Sequence, residues 1–192
     1  MYKLVKILRN TLRKAPLGVP LLLGEALGLI FYLNGRKRRT AFKNIKMAFP
    51  QKTRGQIQKI MRASFRNLGL SIIEMLIAPR LSNYVEIKGK ENVSKEEGGI
   101  LVGIHEGNYE LFNTVFTRDF KLAVLARKQK NKNFDNLLNE SRQECNISVC
   151  FSLKNLIRHL KNNEIIGLIV DHGAEDNAQL VEFFSQLVPT PG

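Results

Sequence analysis

From residue 84 onward, short apolar runs rich in β-formers alternate with stretches of helical periodicity, and this alternation constrains the fold more than any other feature of the chain. Tyr84–Ile87, Ile100–Ile104, Leu122–Ala126, Ser148–Phe151, Ile165–Val170 and Leu180–Phe184 read as strands. Glu110–Phe116, Asn133–Cys145 and Leu153–Asn162 read as the helices between them. Parallel strands need a crossover of a dozen or more residues, usually a helix. The pattern therefore predicts an α/β fold, with a mainly parallel or mixed sheet covered by helices. At 192 residues the chain is long enough for one domain with a real core.

The residues at which these strands stop suggest where chemistry gathers. Ile100–Ile104 runs into His105, Leu122–Ala126 into Arg127, and Ile165–Val170 into Asp171-His172-Gly173. In open α/β sheets ligands bind beyond the carboxyl ends of the strands. The sequence has no G-x-S-x-G elbow, no phosphate-binding G-x-x-x-x-G-K-[ST] loop and no G-x-G-x-x-G fingerprint. His105-Glu106-Gly107-Asn108-Tyr109 starts like the zinc-protease H-E-x-x-H, but Tyr109 stands where the second histidine would be, so no metal pair is expected. Cys145 and Cys150 lack a second ligand pair and read as two reduced thiols.

His105 and Glu110 are five residues apart, about 140° around a continuous helix, where they could not meet. If His105 sits in the turn before a helix, a carboxylate one turn inside can reach back to it. Gly107 and Asn108 suit such a turn. A carboxylate on one imidazole nitrogen fixes the tautomer and leaves the other nitrogen as a base for a hydroxyl. Glu106 competes for that role, although its side chain is expected to face solvent.

The N-terminal part has a different character. Residues 1–80 hold 17 Lys/Arg against Glu25 and Glu74, a net of +15, whereas the rest carries −2, together the formal +13. Such asymmetry points to a polyanionic partner, either nucleic acid or anionic lipid. Residues 15–33 are apolar except for Glu25, close to the length of a spanning helix, but both flanks are basic and Pro16, Pro20, Gly18, Gly24 and Gly28 interrupt the run. Two cationic flanks fit a segment that dips into the anionic cytoplasmic leaflet with both ends on that side. In residues 36–49, Ala41, Phe42, Ile45, Ala48 and Phe49 recur at helical spacing among arginines and lysines, and Pro50 ends the pattern. Thr53 can cap a further helix, which Gly69 is expected to bend or split. Nucleic acid is disfavoured because the basic stretch lacks Trp and its aromatics alternate with aliphatics as a buried face does.

With these residues in view, the chain resembles the bacterial lipid A biosynthesis acyltransferases. His105-Glu106-Gly107-Asn108-Tyr109-Glu110, after Gly99–Ile104, is similar to their H-x4-D/E block. Arg39-Thr-Ala-Phe-Lys-Asn44 through Phe49-Pro50, Val85-Glu-Ile-Lys-Gly89-Lys-Glu91-Asn92, Arg127-Lys128 with Arg142, Asp171, and Val181-Glu-Phe-Phe184 resemble five further parts of the family pattern in the same order. The resemblance implies an acyl thioester donor, usually on acyl carrier protein, and a hydroxyl of a lipid A precursor as acceptor. It implies His105 as base and Glu110 as its orienting group, with Arg127, Arg142, Asp171, Asn108 and Gly107 on the substrate side. Neither a metal nor an organic cofactor is needed for such a transfer. It further implies the bacterial inner membrane, and the two basic flanks its cytoplasmic face.

The expected organisation is a basic membrane-associated region over residues 1–50 and an acyltransferase domain over 51–192. The chain stops at Pro189-Thr-Pro-Gly192 where family members continue, so a C-terminal truncation is expected. His172 and Ser185 depart from the family's usual Gln and Gly and bear on the acceptor. The competing expectations are a different lysophospholipid or glycolipid acceptor, or an inactive membrane-binding fragment.

Overall fold

A computed structural model describes residues 2–171 and 178–191. In chain order it contains α1 (Tyr2–Lys14), α2 (Gly18–Leu33), α3 (Gly35–Ala48), α4 (Arg54–Leu76), α5 (Ala78–Leu81), β1 (Gly99–Gly103), α6 (Tyr109–Phe116), β2 (Leu122–Leu125), α7 (Lys132–Glu144), β3 (Ile147–Cys150), α8 (Leu153–Lys161), β4 (Ile165–Ile169), β5 (Ala178–Phe183) and β6 (Gln186–Pro191). These fall into two compact units. One comprises residues 1–15 and 75–170, and the other residues 16–74 and 171–192.

The first unit is built on a four-stranded, wholly parallel sheet in the order β1-β4-β2-β3. The expected α/β architecture is therefore present. The crossovers β1-α6-β2, β2-α7-β3 and β3-α8-β4 are what parallel neighbours require. Side chains alternate across the sheet, and each face has its own core. On one face Leu122, Val124, Ile147 and Ile165 pack with Phe116, Phe120 and Cys145 from the ends of α6 and α7. On the other face Ala123, Cys150 and Ile166 meet Leu156 of α8. At the edge, β1 leaves Ile100, Val102 and Ile104 at 57%, 62% and 52% exposure on a single face.

Tyr84–Ile87 does not form the expected strand. A 3-10 turn over Ser82–Tyr84 leads into an extended segment with no strand partner among the described residues. The sheet already has β1 at that edge, and Ile87 and Val93 instead pack onto the core from a loop. Arg118 Nη1 donates to the Ser82 carbonyl at 2.6 Å and anchors that turn.

Among its described residues the second unit is helical apart from a β-hairpin. Thr53 and Gln56 form a reciprocal capping box at the start of α4: Gln56 N donates to Thr53 Oγ1 at 3.3 Å and Thr53 N donates to Gln56 Oε1 at 2.9 Å. Gly69 does not split this helix, one of the two outcomes its presence suggests: α4 runs unbroken for 23 residues. The glycine is required by packing. A Cβ there would sit 2.2 Å from the Gly24 carbonyl oxygen and 2.3 Å from the Gly28 nitrogen. Pro20, Gly24 and Gly28, four residues apart, form the buried stripe of α2, the small-residue spacing that lets two helix backbones touch. Glu25, the one charge in the apolar run, is paired with Arg66 of α4. The outer surface of α2 exposes Val19, Leu21, Leu22, Leu23, Leu29, Ile30 and Leu33.

No single described helix is long and apolar enough to cross a membrane; α2 and α3, bent by 86° at Asn34, reach that criterion only as a pair. In α3, Ala41, Phe42, Ile45 and Ala48 are half-buried and the cations are exposed, as the periodicity indicates. Strand β5 matches the expected Leu180–Phe184 run, but it pairs antiparallel with β6 in a two-stranded sheet of its own.

Candidate active site

The β1–α6 connection follows from its residue types. Glu106 N donates to the Ile104 carbonyl at 2.8 Å, closing a tight turn centred on His105. Gly107 adopts φ 63°, a left-handed conformation in which a side chain would be strained. Asn108 caps α6, its Oδ1 accepting from Leu111 N at 3.1 Å. Tyr109 begins the helix and meets His105 edge to face, ring centroids 5.3 Å apart. His105 therefore lies in the turn, exposed, and Glu110 lies in the first turn of the helix, as the five-residue spacing requires. Glu106 is exposed, as anticipated.

Glu110 is buried, at 7% exposure. It is held by Arg142 of α7 in a two-pronged ion pair. Arg142 Nε donates to Oε2 at 3.2 Å and Nη2 donates to Oε1. The two side chains retain 9% and 10% exposure respectively, so the charges are desolvated together. Thr114 Oγ1 donates to the Glu110 carbonyl at 2.9 Å. A small cavity behind the pair is lined by Glu110, Thr114, Leu138, Ser141, Arg142 and Ile147, among others. Burial raises the Tyr109 phenol above its ordinary range, and the neighbouring Glu110 carboxylate adds to that rise.

The remaining sequence candidates are distributed differently. Of the two arginines expected on the substrate side, Arg142 pairs with Glu110, whereas Arg127 is exposed in the loop after β2. Gly107 and Asn108 owe their residue types to the turn and the cap. Asp171 is exposed and is the first residue of the second segment of the other compact unit, and His172 lies outside the described residues. Ser185, suspected of facing the acceptor, stands with Phe184 in the two-residue β5–β6 turn, at φ 55° and 52°. Glycine suits that position for backbone reasons. Sequence reasoning missed Arg9, which is 2% exposed on α1 and bonded to α7. The available signal was its place three residues before Leu12, on the same helical face.

A family profile described as bacterial lipid A biosynthesis acyltransferase matches residues 2–191, nearly the whole chain. The chain is 27% identical over 178 residues to a lipid A biosynthesis acyltransferase of Haemophilus influenzae, covering 85% of this chain and 57% of the relative. It is 26% identical over 148 residues to a lipid A biosynthesis lauroyltransferase of Escherichia coli, covering 71% and 48%. A palmitoleoyltransferase of the same pathway and organism is 22% identical over 147 residues. The chain thus spans about half the length of the curated relatives it matches.

Proposed function

The chain belongs to the bacterial lipid A biosynthesis acyltransferase family, and from that premise we propose that it transfers a fatty acyl chain from a thioester, carried on acyl carrier protein, to a hydroxyl of a lipid A precursor. The observation that carries this reading is the His105 turn followed by a buried, ionically anchored Glu110. Arg142 takes one lone pair on each Glu110 oxygen, and each oxygen keeps another with which to accept an imidazole N–H. A carboxylate fixed in this way holds the His105 tautomer with its other nitrogen turned to the acceptor.

In the proposed reaction the acceptor hydroxyl attacks the thioester carbonyl as His105 takes its proton. The tetrahedral intermediate then collapses, the C–S bond breaks, and the imidazolium returns the proton to the departing thiolate. An ester and a free thiol result, and the base is restored. The exposed row Ile100, Val102 and Ile104 ends at His105 and offers apolar surface for an acyl chain. Arg127, Asp171, Asn108 and Gly107 are assigned to the substrate side on position and family pattern.

The site of action in this proposal is the cytoplasmic face of the bacterial inner membrane. Support comes from the exposed apolar surface of α2, the neutralised Glu25 and the exposed cations of α3. In this reading residues 1–50 form the membrane-associated region, of which α1 also packs on α7 in the sheet-bearing unit, and 51–192 form the catalytic part. Protection of both basic flanks from protease in intact spheroplasts is the expected result; cleavage there removes the cytoplasmic placement.

The test of chemistry is transfer of radiolabelled acyl chain from acyl carrier protein to a lipid A precursor by purified variants. His105→Ala is expected to lose about 10²–10⁴-fold in rate, the usual contribution of a general base. Glu110→Gln should lose less, and Glu106→Gln almost nothing. A His105→Ala protein with near-normal turnover, or a larger effect at Glu106 than at Glu110, overturns the assignment.

A further inference from the structure

Helix α1 carries its most buried polar side chain, Arg9, inward, while Ile7 and Leu8 remain exposed. The Arg9 guanidinium is spread over one face of α7. Nη1 donates to Ser141 Oγ at 3.3 Å, Nη2 donates to Glu144 Oε1 at 3.0 Å, and Glu140 Oε2 lies 3.8 Å away. Arg13 reinforces the contact through Glu144 Oε2 at 2.7 Å and through the Leu76 carbonyl at 3.0 Å. Lys6 reaches Glu140 at 3.3 Å. The Arg9 Nε is buried without an acceptor among the described residues. A buried guanidinium left one acceptor short is poorly explained as a stability device, since apolar side chains of the same volume commonly do as well or better.

Its position supplies another explanation. Ser141, which Arg9 engages, immediately precedes Arg142, which grips Glu110. The two residues project about 100° apart around α7. One face of α7 is fixed by α1 and the adjacent face holds α6. We propose that Arg9 is a positioning residue: by bonding Ser141 and Glu144 it sets the rotation of α7 about its own axis, so that Arg142 meets Glu110 squarely. Glu110 in turn orients His105, a last step that rests on the acyl transfer proposed above. A misplacement of about 1 Å remote from the reacting atoms is enough for a hundredfold loss, so rotation of α7 is felt at the base.

The experiment is NMR of the 15N-arginine-labelled full chain, with the Arg142 Nε–H signal assigned by its loss of protection in Glu110→Gln. Arg9→Met, Arg9→Lys and Ser141→Ala are compared with the parent chain, and circular dichroism checks the fold. The Arg142 Nε–H is expected to exchange at least about tenfold faster in Arg9→Met and less so in Ser141→Ala. Arg9→Lys should restore part of the protection. Acyl transfer should fall in kcat by roughly 10–100-fold for Arg9→Met, with KM for the acyl thioester within about twofold. If Arg9→Met does not fold, Arg9→Lys and Ser141→Ala carry the same readout. Unchanged Arg142 protection in a folded Arg9 or Ser141 variant overturns the proposal, whatever happens to the rate. If protection depends on Arg9 but the parent chain transfers no acyl group, the reading of the reaction fails and the positioning of Arg142 stands.

Discussion

Removing Arg142 is the most informative single perturbation of the site. In Arg142→Met the Glu110 carboxylate, 7% exposed, keeps its burial and loses both donors. At about 4 Å and an effective dielectric near 20, two unit charges attract by roughly 4 kcal/mol. Deleting one partner of a buried pair typically costs about 3–5 kcal/mol, because the remaining charge stays desolvated. Against a total stability of about 5–15 kcal/mol this is a large share. For a chain of this size it corresponds to a fall in Tm of about 6–20 °C. The assay is a thermal melt of the parent chain, Arg142→Met, Glu110→Gln and the double variant. Glu110→Gln/Arg142→Met should recover much of the lost stability, since neither charge then remains, while acyl transfer stays low in all three variants. A loss under about 1 kcal/mol in Arg142→Met, or a double variant no more stable than Arg142→Met, would refute the claim that the two charges are desolvated together.

Four further outcomes follow from other parts of the molecule. Because burial and Glu110 hold the Tyr109 phenol above its ordinary pKa of 10.0, its contribution to stability is intact below that value and is lost as pH rises through the raised one; the alkaline fall in unfolding midpoint should flatten in Tyr109→Phe, and an identical slope in the two proteins counts against the assignment. Gly69→Val forces a side chain into the α2–α4 contact, where Gly24 O lies 2.2 Å from the new Cβ, and denaturant titration should show at least about 1–3 kcal/mol of destabilisation. Ser185→Gly relieves a left-handed φ of 55° and should stabilise the hairpin by about 1 kcal/mol, read as a raised melting midpoint. Burial raises the thiols of Cys145 and Cys150, so both should react with a disulfide reagent far more slowly in the folded protein than after denaturation; equal rates in the two states contradict their burial.

Local chemistry in the sequence determined the elements that carry the site. The 3.6- and 2-residue periodicities place β1 to β4 and α6 to α8 within a residue or so of where they fold, because each pattern has one way to bury its apolar side chains. Gly107 and Asn108 specify the turn and cap that separate His105 from Glu110, since these are backbone requirements satisfied within a few residues. What tertiary structure decided was every relation between residues far apart in sequence. Arg142 lies 32 positions from Glu110 and Arg9 132 positions from Ser141, and no local pattern selects those partners over other arginines and acids. Gly69 shows the same limit from the opposite side. Its intrinsic preference argues for a break, but the close approach of Gly24 and Gly28 keeps the helix intact, because backbone-to-backbone packing is open to a residue without Cβ. Tyr84–Ile87 has the composition of a strand, but a strand needs a neighbour to bond, and where the sheet edge falls is settled only when the whole chain has packed.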